Sequence, residues 1–157
     1  MRLIPSGLID ELVKRAGESP RLRINHNVHG DLSDPIQRLF VASRLDSYFR
    51  PHRHPVKWEF ALVIKGRFDV LTFDDAGRVT ERISAGPHAD IIGFELPENT
   101  WHAWIPMEDE SVFFEVKQGP YDARTITEFA PWSPEEGSEQ TGAFMARLRA
   151  ARVGETV

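Results

Sequence analysis

The chain contains no cysteine, which excludes disulfide scaffolds, thiolate zinc sites, iron–sulfur clusters and a cysteine nucleophile together. Any metal must be held by nitrogen and oxygen donors. No apolar run approaches the ~18 residues that a membrane helix requires. The first residues, Met1-Arg2-Leu3-Ile4-Pro5-Ser6-Gly7-Leu8-Ile9-Asp10-Glu11, place a proline and two acids where a signal peptide needs an unbroken apolar stretch. A cytoplasmic protein with no membrane partner is expected. Basic residues are outnumbered, 19 against 24 acidic ones, for a net charge of −5. The molecule as a whole therefore repels phosphate backbones and anionic lipid surfaces, which argues against a nucleic-acid partner.

What is present suits one folded domain. Of 157 residues, 41% are hydrophobic, with 10 Phe, 4 Trp and 2 Tyr among them, enough apolar material for a real core. Three stretches are expected: an N-terminal helix within 1–20, a β-rich body over 21–120, and a C-terminal loop and helix over 121–157. In the first, Leu8, Ile9, Leu12 and Val13 fall at helical spacing over 8–16, with Ser6 as N-cap and Gly17 as stop. In the second, short runs rich in β-branched and aromatic residues recur between Pro, Gly and Asp. They predict eight strands, at 21–25, 37–45, 57–64, 67–73, 79–83, 90–96, 101–105 and 111–117. The acid-rich turn Asp74-Asp75-Ala76-Gly77 makes one antiparallel hairpin of the runs either side of it. In the third, Phe144, Leu148 and Ala151 resume helical spacing after a Pro-rich loop, as a cover for the barrel or for a twin subunit.

The most informative five residues are Pro51-His52-Arg53-His54-Pro55. In an extended strand, positions two apart project to one face, so two imidazoles converge while Arg53 points away. Pro55 interrupts the ladder and lets the chain turn. After that turn Glu59 can begin a neighbouring strand and aim its carboxylate at the same spot. A His-x-His pair alone is a weak signal; the added Glu59 and Gly66 at fixed distances make coincidence remote. His102, in Pro97-Glu98-Asn99-Thr100-Trp101-His102, enters a strand after another proline-marked turn.

These residues resemble the cupin superfamily. The run His52-x-His54-x4-Glu59-x6-Gly66 is similar to its first motif, and Pro97-x-Asn99-x2-His102 to its second, with Asn99 replacing the usual glycine. Asp46 stands where a glycine normally opens the first motif, and Pro106 where the second often ends in asparagine. The resemblance implies an all-β fold, a single antiparallel cupin (double-stranded β-helix, jelly-roll) barrel with short terminal helices. It also implies one metal on His52, His54, Glu59 and His102. A narrower likeness, to the WbuC group of cupin-fold metalloproteins, rests on Asn27-x-His29, 34–38, Ser47-Tyr48, 51–54, Phe73-Asp74-Asp75-x-Gly77, Glu115-Val116-Lys117-x-Gly119-Pro120-Tyr121 and Phe129-Ala130-Pro131-Trp132-x-Pro134. That group is associated with bacterial surface-polysaccharide gene clusters.

Three imidazoles and a carboxylate suit one divalent transition metal, Fe, Mn, Ni, Zn or Cu, and leave coordination positions open. The expected function is a metal-dependent enzyme on a small polar metabolite, a sugar or sugar derivative by association, of isomerase or epimerase type. The metal would polarise a carbonyl and stabilise an enediolate. A ferrous dioxygenase and a non-catalytic sugar-binding or sensor module are the alternatives. His29 and Tyr121 are the candidates for the catalytic base; Arg38 and Lys117 are the candidates for substrate binding, since guanidinium and ammonium groups meet anions or hydroxyls. His26 and His88 have no matching partners. Trp58, Phe60, Leu62 and Ile64 form an apolar outer face that predicts a homodimer.

Overall fold

The computed structural model describes residues 1–123 and 126–157. Helix α1 (Gly7–Glu18) is followed by β1 (Arg23–Asn27), β2 (Ile36–Ser43), β3 (His52–Arg53), β4 (Glu59–Lys65) and β5 (Phe68–Phe73). Then come β6 (Val79–Ala85), β7 (Gly93–Leu96), β8 (Trp101–Pro106), β9 (Ser111–Gln118), β10 (Glu128–Phe129) and helix α2 (Thr141–Ala150). The strands form two five-stranded sheets, ordered β1-β2-β9-β4-β7 and β10-β3-β8-β5-β6, with antiparallel pairing throughout. Eight of these ten strands overlap the eight sequence expectations. The two additional ones, β3 and β10, have two residues each, too short for a period-2 pattern to register.

The two sheets face each other across one core. Val41, Ala61, Val63 and Phe113 of the first meet Phe68, Val70 and Trp104 of the second, and Trp104 stacks on Phe113 with ring centroids 3.9 Å apart. Each sheet is then covered outside by a helix. Leu12, Val13 and Ala16 of α1 pack on Phe40, Ala42 and Val112, while Phe144, Met145 and Leu148 of α2 pack on Leu71, Trp101, Ala103 and Ile105. Burial of each large apolar chain stabilises by roughly 1.5–3 kcal/mol. This double cover explains why β5 and β8 are buried at every position: both faces of those strands are interior, so their sequences are mostly apolar and show no strict inside–outside alternation.

Helix α1 begins directly after Ser6, as expected, and departs from the expectation at its C-terminal end. Ser6 is itself helical and makes no side-chain cap bond. The helix runs through Gly17 and ends when Ser19 becomes extended, at ψ 137°. Pro20 is the cause, because its ring disfavours helical geometry in the residue before it. Gly66 earns its place directly: its φ is +70°, and a β-carbon there would meet Ser111 Cα at 2.9 Å. Gly77, at φ +79°, closes the β5–β6 hairpin as its turn chemistry requires.

Candidate metal centre

Two sheets contribute to one cluster of side chains. His52 on β3 pairs with His102 on β8, and His54 follows two residues after His52, held where Asn99 N–H donates to the His54 carbonyl at 2.8 Å. Asn99 adopts φ +61°, a left-handed conformation that asparagine tolerates better than most residues. This explains how it substitutes for glycine in the turn before His102. The three rings lie 4.3 to 5.7 Å apart between centroids, and one nitrogen from each falls within 4.8 Å of the others.

Each ring is oriented by a backbone carbonyl. His52 Nδ1 donates to Arg50 O at 2.9 Å, His54 Nδ1 to Ile126 O at 2.5 Å and His102 Nδ1 to Thr100 O at 2.9 Å. A carbonyl oxygen can only accept, so each Nδ1 carries a proton and Nε2 is the atom left to face the shared centre. His102 Nε2 is buried with no partner among the described residues. Burial holds His52 well below the usual imidazole range, reinforced by the neighbouring His102 and His54, and burial likewise lowers His102. Three histidine nitrogens within 4.8 Å of one another could hold a metal ion.

Glu59, the first residue of β4, faces this cluster from the other sheet. It is 2% exposed. Its Oε2 is 3.0 Å from His54 Nε2, while Oε1 is buried with no partner among the described residues. Burial would raise its carboxyl, but the His54 contact and the Lys117 charge outweigh it and hold the group well below the usual carboxylate range. A buried carboxylate this close to an imidazole nitrogen needs a positive charge beside it, either a proton on Nε2 or a bound cation.

His52 and Glu59 line a cavity of about 280 Å³ between the sheets. Its apolar wall is formed by Leu39, Val41, Phe49, Trp104 and Phe113, and Lys117 and Glu115 lie beside the histidine cluster. Register explains the grouping: Glu59 on β4 is opposite Lys117 on β9, and Ala61 is opposite Glu115. Lys117 Nζ is ion-paired with Glu115 Oε1. Burial, then the charge of Glu59, push the Glu115 carboxyl above its usual range. Burial alone would lower Lys117, but Glu115 and Glu59 outweigh it and hold the ammonium above its usual range.

Of the other sequence candidates, Lys117 lines the cavity, and Arg38, His29 and Tyr121 are not among its lining residues. Arg38 is ion-paired with Asp34 at 2.7 Å. His29 is buried and accepts the Arg38 backbone N–H at 3.0 Å. Tyr121 is 43% exposed, near enough to Lys117 to bear on its charge. Arg53 points away from the cluster, 2.8 Å from Glu128 and over the Trp101 ring at 4.2 Å. Glu115 is the residue that sequence reasoning did not single out for a role. Its signal is an acid two residues from Lys117 on one face of an otherwise apolar strand.

The comparisons with known proteins fall into two groups. A family model described as "Domain of unknown function (DUF6016)" matches residues 4–85. No curated protein matches the sequence. Among solved structures, an uncharacterized conserved protein with a double-stranded β-helix domain from Klebsiella pneumoniae is 18% identical, with a TM-score of 0.56 over 83% of this chain and 97% of that one. KdgF from Halomonas sp. is 18% identical, with a TM-score of 0.51 over 67% of this chain and 84% of that one. Oxalate oxidase in complex with the substrate analogue glycolate is 16% identical, with a TM-score of 0.55 over 83% of this chain and 67% of that one. At such identities the likeness is one of fold.

Proposed function

Because the chain belongs to the family described as Domain of unknown function (DUF6016), which names no reaction, we propose its activity from the site: a metal-dependent enzyme acting on a small polar metabolite. Its fold is the cupin double-stranded β-helix. The observation that carries the proposal is the buried His54–Glu59 contact, 3.0 Å long, in a cluster whose three Nδ1 atoms are already committed to carbonyls. In this reading His52, His54 and His102 hold a divalent transition ion through Nε2 and Glu59 holds it through a carboxylate oxygen. The bound ion supplies a Lewis acid that polarises a substrate oxygen.

The chain's own residues do the rest. Glu115 is the proton carrier of the site. Its carboxylate takes a proton from a substrate carbon and returns it to that carbon or its neighbour, as isomerisation or epimerisation requires. Lys117 Nζ, paired with Glu115 Oε1, holds that carboxylate in place. Leu39, Val41, Trp104 and Phe113 give the same cavity an apolar wall, against which polar interactions are stronger than in open water.

We assign the substrate to sugars or sugar derivatives and the protein to the WbuC group on the motifs that run from Asn27 to Pro134. The same reading has it cytoplasmic, and no helix among the described residues is long and apolar enough to cross a membrane. It also has it homodimeric through the half-buried Phe60 and Leu62 and the exposed Ile64 on the outer face of β4.

The test is exchange of solvent deuterium into candidate sugars, run with protein of measured metal content. Exchange that requires both the metal and Glu115 is the expected result. Tight sugar binding without exchange under any metal would leave a binding module instead.

A further inference from the structure

The cavity wall carries more basic than acidic side chains in a protein of net charge −5. Arg21, Arg23, Arg50 and Lys117 line it, against Glu59 and Glu115, and a divalent ion would add to the excess. Two of these arginines already hold an anion. Arg21 donates Nε to Glu136 Oε1 and Nη2 to Oε2, both at 2.9 Å. Arg23 donates Nη1 to the same Oε1 at 2.8 Å and Nη2 to Oε2 at 2.9 Å. One carboxylate thus receives four bonds from two guanidiniums, the planar geometry that arginine offers to carboxylates, and one unit of positive charge stays uncompensated. The Arg23 side chain is only 11% exposed, so this charge is held where water screens it poorly.

Glu136 reaches the fork from the loop between β10 and α2. Beside it, Ser133 accepts from Arg50 at 3.1 Å (Oγ) and 3.2 Å (O), and Pro134 O accepts the Tyr48 hydroxyl at 3.1 Å. The loop therefore crosses the cavity's arginine rim on three tethers. Only the Glu136 tether presents a carboxylate, and Glu136 is not itself part of the cavity wall.

We propose that the Arg21–Arg23 fork is the carboxylate-binding end of the cavity, that the ligand of the metal centre is an organic acid, and that Glu136 occupies the fork as an internal stand-in for it. This deepens the metal-enzyme reading and rests on it for the other end of the ligand. Arg23 is opposite Ser43, and Ser43 opposite Ser111, whereas Glu59 is opposite Lys117. The two levels lie toward opposite ends of β9 in backbone register, so the acid group is a handle set apart from the reacting atoms, the kind of contact whose binding energy positions the rest of a substrate.

The experiment is calorimetric titration of the metal-free protein with glutarate, whose end matches the Glu136 side chain, against 1,5-pentanediol of the same length. Removing an internal competitor raises apparent affinity by the inverse of the competent fraction, so Glu136→Gln is expected to bind glutarate about tenfold more tightly than the wild type. Adding Arg21→Gln to Glu136→Gln is expected to reverse that gain, and pentanediol is expected to bind neither. Should Glu136→Gln fail to fold, Glu136→Asp keeps the charge, shortens the reach and is expected to raise affinity in the same direction. Glutarate affinity unchanged by Glu136→Gln or Glu136→Asp overturns the proposal, even if the melting temperature falls. Equal binding of the diol also overturns it, and tighter binding of inorganic phosphate at the same arginines overturns the carboxylate assignment. Metal stoichiometry, measured separately by equilibrium dialysis, fails only if the metal reading fails.

Discussion

His54 Nε2 and Glu59 Oε2 lie 3.0 Å apart in a pocket where both side chains are at most 4% exposed. They arrive from different sheets. His54 already directs Nδ1 to Ile126 O, so Nε2 is the atom that faces the carboxylate. A carboxylate buried there calls for a compensating positive charge, and the His52 and His102 rings, 5.1 and 5.7 Å from His54 between centroids, stand beside it to complete the donor set.

Replacing Glu59 by Gln keeps shape but removes the charge. Second-sphere changes cost 10–100-fold in metal affinity, so loss of a direct ligand is expected to cost at least about 100-fold. Equilibrium dialysis with elemental analysis reads this directly. A variant that binds metal as tightly as the wild type, while melting at a lower temperature, would make Glu59 a structural residue.

Metal added to the metal-free protein should stabilise it by mass action. At a free concentration one hundred times its dissociation constant the gain is about 2.7 kcal/mol, seen as a higher melting temperature that a chelator reverses. The triple substitution of His52, His54 and His102 by Gln should abolish the shift. A shift that survives it would place the ion elsewhere.

Glu115→Gln is expected to lower the rate of solvent-proton exchange by about 10²–10⁴-fold, the usual contribution of a positioned acid or base. Metal content should be unchanged, because Glu115 is paired with Lys117 rather than aimed at the imidazoles. Retained exchange would remove Glu115 from the chemistry.

Tyr48 supplies a pH signature away from the metal. Burial pushes its hydroxyl up to about 12, while it donates to Pro134 O at 3.1 Å. A folded-state value raised above the unfolded one, near 10, gives stability that is complete below pH 10 and lost as pH rises through 12. With a discount for water reaching the hydroxyl, the loss is about 1–2 kcal/mol. Chemical denaturation at pH 9 and pH 12 should show a smaller loss in Tyr48→Phe than in the wild type; equal losses would contradict it.

Much of the site was legible because its residues are close in sequence and locally constrained. His52 and His54 share a face by strand alternation, Pro55 turns the chain, and Glu59 opens the next strand as the turn allows. Gly66 and Asn99 mark positive-φ positions that a reader of turns can anticipate. Glu115 was hidden for a different reason. In β9 the inward set Phe113, Glu115 and Lys117 alternates with Val112, Phe114 and Val116, so the outer set, part of it covered by α1, is the more apolar of the two. Alternation then loses its phase. The end of α1 was misread for want of weight on Pro20, and β10 for want of length.

By itself the sequence determined the nitrogen and oxygen chemistry of any metal, the β-rich body between two helices, and the histidine pair with its glutamate, because those follow from composition and from offsets of a few residues. Only the tertiary structure decided that Arg38 pairs with Asp34 while Arg21 and Arg23 turn into the cavity, and that Glu136, more than a hundred residues away, closes on them. The physical reason is that strand pairing between distant segments sets which face is interior, and no local pattern encodes which distant partner a charged side chain will find.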